Sequence, residues 1–246
     1  NVYLADPAAP SSLPAKPKTK LNILLSLLTG LMSGVGLAIF LEGRSKKFMA
    51  PADVERYIPN VSLLGVVPLL SKAAAEERAL AQPNALTPAA ESFRIIRTSL
   101  LLSSPDVLPS RILITSPGEN EGKTTLAVNL AMAMAQLEET RVILVDVDFR
   151  NQQTHPIYDV GTQADPPQGL AQLLRGEASL AEVVHDTFVT NLSVIPHGGR
   201  PGNPTELLHS KSMNQLLEWA LENQYHMILD CPPVLPIADA AVLASK

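Results

Sequence analysis

The chain has 246 residues, enough for one or two domains, and carries a formal net charge of −5 at neutral pH. This mildly acidic balance gives no support for a nucleic-acid-binding surface. The single cysteine excludes a disulfide framework and a cysteine-based metal site.

Two segments of different composition open the chain. Residues 1–20 are rich in Pro, Ala and Ser and end in a lysine-rich margin, which is typical of an extended linker. Residues 21–41 contain no charged side chain and are long enough to cross a bilayer as a helix, so we predict one transmembrane helix there. A buried core helix and the apolar region of a signal peptide are the alternatives.

Residues 42–86 form a connector in which we find no chemical motif. After it, Thr87 as N-cap and Pro88 at the first helical position predict a helix that runs to about Ser103. Three charged side chains stand three residues apart on this helix and predict either a solvated face with a weak ion pair or a subunit contact. They are Glu91, Arg94 and Arg97.

The next segment has the layout of a phosphate-binding loop. The apolar run Ile112–Ile114 predicts a buried parallel strand, and the apolar-rich segment from Lys123 to Gln136 predicts a helix. The loop between them ends in Gly-Lys-Thr, although Pro117 stands where the general pattern has its first glycine. Loop N–H groups and the helix N-terminus would then point at phosphate oxygens. The candidate contacts are Gly118, Glu119, Asn120, Glu121, Gly122, Lys123, Thr124 and Thr125.

Two side chains of this loop have individual roles in such a site. Lys123 would reach the β- and γ-phosphates of ATP, and the Thr124 hydroxyl would be a ligand of Mg²⁺.

Lysines and arginines flank the predicted membrane helix on both sides and do not decide its orientation. Because a nucleotide site needs cytosolic ATP, we expect the part of the chain after that helix to lie inside the cell.

Two further apolar runs end in carboxylates. Residues 141–148 predict a second parallel strand, with Asp146 and Asp148 two residues apart on one face at its end. Residues 226–230 predict another strand, which ends in Asp230. Ligands of open α/β sheets lie at this edge, where carboxylates can bind Mg²⁺ and accept a proton from an attacking hydroxyl. Acids that only cap the next loop are the alternative.

Residues 87–246 therefore predict an α/β domain: a P-loop NTPase-like, mostly parallel sheet flanked by helices and preceded by one transmembrane helix. Short amphipathic runs and breaker residues predict the elements between the second strand and the last. These are helices over 169–176 and 179–184, a strand over 191–195, and a helix that opens at Thr205 and breaks near Ser210.

Together these motifs resemble bacterial tyrosine kinases of the polysaccharide co-polymerase type, over nearly the whole chain. In that family a Pro-rich stretch precedes the last transmembrane helix, and a cytoplasmic kinase domain follows it. The matching motifs are Glu-x-x-Arg-x-x-Arg at Glu91, Arg94 and Arg97, Walker A at Gly122, Lys123 and Thr124, Asp-x-Asp-x-Arg at Asp146, Asp148 and Arg150, Asn-Pro-x-Glu-Leu-Leu within 199–208, and Asp-x-Pro-Pro at Asp230. The order and spacing of the motifs carry the resemblance.

The resemblance implies ATP and Mg²⁺ as cofactors and gives roles to the site residues. Asp146 would touch Mg²⁺ and take the proton of a tyrosine hydroxyl, while Asp148 supports it. Lys123 would stabilise charge on the transferring phosphoryl group, and Asp230 would hold a water on the metal. Arg150 completes the second acidic motif and is assigned to the nucleotide site.

The resemblance also implies a place in the cell. The chain would belong to a tyrosine autokinase of the bacterial inner membrane, with residues 1–20 periplasmic and the kinase domain cytoplasmic. Its partners would be copies of itself, in a ring assembled through the helix of Arg94 and Arg97, and the machinery that polymerises and exports capsule or exopolysaccharide. The family also has further sheet strands and a cluster of acceptor tyrosines after the part matched here, and a periplasmic domain before it, so the resemblance implies either a fragment or a chain that lacks the tyrosine tail.

The same motifs are compatible with two other functions. A positioning ATPase would carry a second lysine five residues before Lys123, where this chain has Gly118, and this difference argues against that class. A non-catalytic scaffold, whose kinase-like domain binds nucleotide or only partners, would keep every motif and stays open.

Overall fold

The computed structural model describes residues 17–44, 53–54, 58, 61–70, 86–103, 108–150, 168–235 and 239–246. Most of the predicted linker and much of the predicted connector lie outside these residues. The chain divides into two compact units, Asn1–Val61 and Ser62–Lys246. The second unit begins upstream of the domain boundary that the sequence predicts at residue 87.

The first unit contains the predicted membrane helix. Helix α1 spans Thr19–Arg44 and includes the whole predicted segment 21–41. Its length and apolar composition over Thr19–Gly43 are sufficient to cross a membrane. The described side chains of α1 are exposed, whereas a core helix of a soluble protein would be mostly buried.

The described residues of the second unit form a sheet of five strands with helices on both faces. In order along the chain, its elements are α2 (Pro88–Ser103), β1 (Arg111–Ile114), α3 (Lys123–Ala135), β2 (Arg141–Asp146), α4 (Leu170–Arg175), α5 (Leu180–Val183), β3 (His185–Asp186), β4 (Leu192–Ile195), α6 (Pro204–His209), α7 (Lys211–Glu222), β5 (Tyr225–Asp230) and α8 (Asp239–Ala244). The strand order is β1-β5-β2-β4-β3. Strands β1, β5, β2 and β4 are mutually parallel, as predicted, and β3 pairs antiparallel with β4.

Alternating side chains of β2 divide the core between the two faces of the sheet. Leu144 packs with α2 and α3 on one face, and Ile143 and Val145 pack with α4, α6 and α7 on the other. Because β2 is central and covered on both faces, it is a continuous apolar run. Strand β1 differs from its prediction, since among the described residues it pairs only with β5 and its residues Ile112 and Leu113 are half-buried.

Helix ends lie where the capping residues place them. The backbone N–H of Ala90 donates to the Thr87 hydroxyl at 3.1 Å, which is the predicted N-cap of α2. The predicted break near Ser210 separates α6 from α7, because the Ser210 hydroxyl accepts the Met213 N–H at 3.2 Å and starts a new helix.

The loop after β4 is clamped against the start of α4. The N–H groups of Leu170 and Ala171 donate to the carbonyls of Pro196 and His197 at 2.8 and 3.0 Å. A Cβ added to Gly169 would lie 2.1 Å from the Pro196 carbonyl oxygen, so only glycine fits there. This clamp holds the loop that leads into α6.

Replacing Gly169 with alanine should therefore destabilise the second unit. Overpacking of this kind costs about 1–3 kcal/mol, or a fall of roughly 3–10 °C in Tm for a domain of this size. Gly202→Ala, in the loop that leads into α6, is the matched control, because an added Cβ there meets nothing within 4 Å. Thermal unfolding of the two variants checks the prediction, and equal Tm values would show that the clamp is not tight.

Candidate active site

The loop between β1 and α3 has the backbone of a phosphate-binding loop. Gly122 precedes α3 with φ 86°, a left-handed conformation that glycine adopts without steric cost. The first turn of α3 leaves N–H groups without intrahelical partners, and their partial positive charge suits a phosphate. Lys123 is the first residue of this helix, and the residue is only 9% exposed.

The Glu121 carboxylate belongs to the loop itself. It accepts a hydrogen bond from the Gly118 N–H at 3.0 Å. A carboxylate repels phosphate, so Glu121 would reach a nucleotide through its backbone N–H. Glu119 and Asn120 are exposed at the tip of the turn, and Asn120 has a positive φ of 57°.

Two buried carboxylates meet beside this loop. Asp146 at the end of β2 and Asp230 at the end of β5 are register partners, and Asp230 is also the partner of Ile114 at the end of β1. Because β5 lies between β1 and β2, Asp230 stands between the loop and Asp146. The Thr124 hydroxyl lies close enough to Asp230 to lower its pKa. The structure therefore brings Lys123, Thr124, Asp146 and Asp230 together at one edge of the sheet.

The relation between Asp146 and Asp148 differs from the prediction. Strand β2 ends at Asp146, so Asp148 lies in the following turn and does not share a strand face with it. The Asp148 N–H donates to the Asp146 carboxylate at 3.0 Å, and the Arg150 N–H donates to the Asp148 carboxylate at 3.2 Å. These local bonds turn the chain away from the sheet. Both acids cap the loop as well as lying at the site.

Burial and mutual repulsion weaken the acidity of the paired carboxyl groups. Burial raises the pKa of Asp146 well above its ordinary value, and the charges of Asp230 and Asp148 add to the effect, against the hydrogen bond from the Asp148 N–H. Burial raises the pKa of Asp230 to about 7 and the charge of Asp148 adds to the rise, although the Thr124 hydroxyl and the charge of Lys123 oppose it. The Oδ1 atom of Asp230 is buried without a hydrogen-bond partner.

These groups fit a bound magnesium ion. A buried carboxylate oxygen without a hydrogen-bond partner is costly, and a cation bound there would offset that cost. Among the described residues, no group of three or more His, Cys, Asp or Glu side chains could hold a metal without other ligands. Mg²⁺ is commonly bound by one or two carboxylates together with water and phosphate oxygens, which matches the pair of carboxylates and the Thr124 hydroxyl.

Replacing Asp230 with asparagine should stabilise the metal-free protein while it weakens any metal site. In the unfolded chain the Asp230 carboxyl ionises near pH 4, and in the folded chain it ionises near pH 7. The free energy of unfolding of the parent therefore falls as the pH rises from about 4 to about 7, and it stays level above that range. We expect Asp230→Asn to gain about 1–3 kcal/mol at pH 8 and almost nothing at pH 4.

Urea unfolding in EDTA at several pH values measures this gain. Asp186→Asn is the control, because Asp186 is an exposed carboxylate on β3. A destabilised Asp230→Asn variant at pH 8 would show that the Asp230 carboxylate is well compensated without a cation.

A second set of polar groups, which was not predicted, surrounds residues 146–150 after β2, which we call the acidic loop. The Arg150 Nε atom lies 3.3 Å from Oδ2 of Asp239, and the Thr205 hydroxyl donates to Oδ1 of Asp239 at 2.6 Å. Asp239 is 1% exposed. Its only sequence signal is that it is the sole acid in an apolar stretch after Pro233, and its partners are distant in the chain.

The charged side chains of α2 have partners inside the chain. Arg94 pairs with Glu91 at 3.2 Å, which is the weak pair predicted for a solvated face. Arg97 donates to the Ala133 carbonyl at 2.8 Å and so satisfies one of the last carbonyls of α3. A subunit contact through this helix stays a prediction.

A cavity of about 530 Å³ opens beside the phosphate-binding loop. Its apolar wall comes from residues 67–70, Phe93 and Leu126, and its polar wall includes Thr125 and Lys123. Residues 67–70 belong to the predicted connector, to which the sequence assigns no chemistry. The structure places them against the loop and α2.

The chain is similar to known proteins in both sequence and structure. The family described as AAA domain matches residues 118–246. The tyrosine-protein kinase Etk of Escherichia coli (strain K12) is 30% identical over 262 residues, which cover 99% of this chain and 35% of that protein. Among solved structures, the kinase domain of Escherichia coli tyrosine kinase ETK has a TM-score of 0.70 at 29% identity, covering 81% of this chain and 79% of that chain.

The BceF tyrosine kinase domain is 32% identical, with a TM-score of 0.66, and the match covers 79% of this chain and 81% of that domain. The chain belongs to the bacterial tyrosine kinase family of P-loop proteins. Membership confirms the predicted family and fold and supports nucleotide binding at the loop. The chain spans about a third of the length of the curated tyrosine kinases that it matches.

Proposed function

We propose that this chain is the membrane-proximal and kinase part of an ATP-dependent protein-tyrosine kinase. The observation that carries the proposal is the meeting of Lys123, Asp146 and Asp230 at one edge of the sheet, beside a phosphate-binding loop. Family membership supports the same activity, since the relatives are named tyrosine-protein kinases.

The side chains would share the phosphoryl transfer between them. Mg²⁺, bound at Thr124, Asp146 and Asp230 together with the triphosphate, would neutralise phosphate charge. Lys123 would hold the transferring group, and Asp146, with its raised pKa, is suited to receive the proton of a tyrosine hydroxyl. The tyrosine oxygen forms the new bond to phosphorus, and the bond from phosphorus to the ADP oxygen breaks. Asp148 supports Asp146 through the turn that joins them.

The proposed location follows from α1 and from the resemblance. Helix α1 would anchor the protein in the bacterial inner membrane, with the kinase domain on the cytoplasmic side where ATP is available. We infer that the partners are copies of the same chain and the machinery that polymerises and exports capsule or exopolysaccharide. A protein of Klebsiella pneumoniae that is 29% identical to this chain is named "Putative tyrosine-protein kinase in cps region".

A phosphotyrosine assay tests the proposal. The full chain in detergent or vesicles, given Mg-ATP and a tyrosine-containing copolymer, should form phosphotyrosine on the copolymer or on itself. Tyr225 is not a candidate acceptor, because it is buried against Trp219 and Arg141. Mg-ATP binding without phosphotyrosine on either acceptor would favour the non-catalytic scaffold.

Self-association is proposed to use α2. Burial and the neighbouring Arg94 charge lower the pKa of Arg97, and Glu91 opposes them, so two crowded cations lie on this helix. An acidic surface of another copy would relieve that repulsion. Replacing Arg94 and Arg97 together with alanine should therefore lower the oligomer mass in light scattering.

Two controls separate this contact from folding. Arg97→Ala also removes the bond to the Ala133 carbonyl, so its Tm should fall, and the Tm of Arg94→Ala alone measures what the largely buried Arg94 side chain and its pair with Glu91 contribute to folding. Arg175→Ala breaks a similar exposed pair with Glu177 and should keep the oligomer mass. An unchanged mass for the Arg94/Arg97 double variant would remove the interface proposal.

A further inference from the structure

Asp239 joins segments that follow three different strands. It begins α8, downstream of β5, while Arg150 follows β2 and Thr205 lies in α6, downstream of β4. Arg150 and Thr205 each occupy one oxygen of its carboxylate, at 3.3 and 2.6 Å. An almost fully buried carboxylate is costly unless it is paired in this way, so the pair fixes the three segments together.

Arg150 carries this restraint to the acidic loop. Its side chain is held by Asp239, its carbonyl accepts from the Arg200 guanidinium at 3.3 Å, and its N–H donates to Asp148 at 3.2 Å. Asp148 in turn donates its N–H to Asp146 at 3.0 Å. A continuous series of hydrogen bonds therefore runs from Asp239 to the carboxylate at the end of β2.

We propose that Asp239 is a positioning residue that acts through Arg150 to hold the Asp146–Asp148 turn ready for Mg-ATP, with Thr205 as its second support. This inference rests on the proposed function. The phosphate-binding loop lies on the other side of β5 and contributes none of these bonds. Loss of Asp239 should therefore weaken only the part of ATP binding that depends on the metal.

ATP titrations of the full chain in detergent, in Mg²⁺ and in EDTA, separate the two parts. Groups that orient metal ligands typically contribute about 10–100-fold to metal affinity. We expect Asp239→Asn to lower ATP affinity in Mg²⁺ by about 10-fold and Thr205→Val by about 3-fold, with affinity in EDTA unchanged. Thr205→Ser keeps the hydroxyl and should restore affinity. Glu177→Gln, which breaks an exposed pair with Arg175, should have no effect.

A double-mutant cycle tests whether Asp239 acts through Arg150. Once Arg150 is replaced by glutamine, Asp239→Asn should cause no further loss. Additive losses, an equal fall in Mg²⁺ and in EDTA, or no fall at all would each overturn the positioning role. A parent chain that binds Mg-ATP but forms no phosphotyrosine contradicts only the kinase proposal, whereas a parent that binds no ATP contradicts both.

Discussion

Replacing Lys123 with alanine is expected to weaken Mg-ATP binding by about 10- to 150-fold, since a hydrogen bond from a charged group contributes roughly 1.5–3 kcal/mol. Phosphotyrosine formation should fall below detection, because the same ammonium would stabilise the transferring phosphoryl group. Lys123 lies beside Asp230, whose pKa its charge lowers, so its removal also leaves the acids less compensated. Calorimetric titration with Mg-ATP measures the affinity.

Lys211 offers a matched control for this variant. It is also the first residue of a helix, α7, but its side chain is exposed. Lys211→Ala should keep both the ATP affinity and the Tm of the parent, and Lys123→Arg should recover part of the affinity because it restores a cation. If Lys123→Ala binds Mg-ATP as tightly as the parent at equal Tm, the loop does not hold the phosphates.

Replacing Asp146 with asparagine should separate binding from chemistry. The variant keeps the loop, Lys123 and Asp230, so ATP affinity should stay within about 10-fold of the parent, as expected when one of two carboxylates near the metal is lost. It cannot accept a proton, and loss of a general base typically costs about 10²–10⁴-fold in rate. The rate of phosphotyrosine formation at saturating ATP measures this loss.

The stability of Asp146→Asn shows whether a low rate of phosphotyrosine formation comes from the chemistry or from unfolding. Removing a buried carboxyl with a raised pKa should stabilise the metal-free protein above neutral pH, so a low rate would come from the chemistry and not from unfolding. Asp186→Asn, on an exposed edge strand, should change neither rate nor stability. Phosphotyrosine formation at the parent rate in Asp146→Asn would show that another group takes the proton.

Much of the fold could be read from local patterns. Strands β2 and β5 are uninterrupted apolar runs that end in aspartate, and α2 has an N-cap at Thr87, so their positions were predicted within two residues. Strand β3 has two polar residues, His185–Asp186, and no apolar pattern. Only its pairing with β4 makes it a strand.

The parts of the site that the sequence did not predict depend on distant partners. Arg150 and Asp239 are 89 residues apart, and Arg97 and Ala133 are 36 apart, so no local spacing relates them. The strand alternation that placed Asp146 and Asp148 on one face failed because a side-chain bond to the Asp148 N–H ends the strand. Whether this N–H bonds to a side chain or continues the strand depends on the conformation of the folded loop, which the local spacing does not show.

A structure of the full chain with Mg²⁺ and a non-hydrolysable ATP analogue, by cryo-EM or crystallography, tests the central claim most directly. We expect the triphosphate in loop 117–124, with Lys123 on its terminal phosphates. One ion should touch the Thr124 hydroxyl and lie within direct or single-water distance of Asp146 and Asp230. A triphosphate bound away from this loop, or an ion that approaches neither carboxylate, would contradict the account.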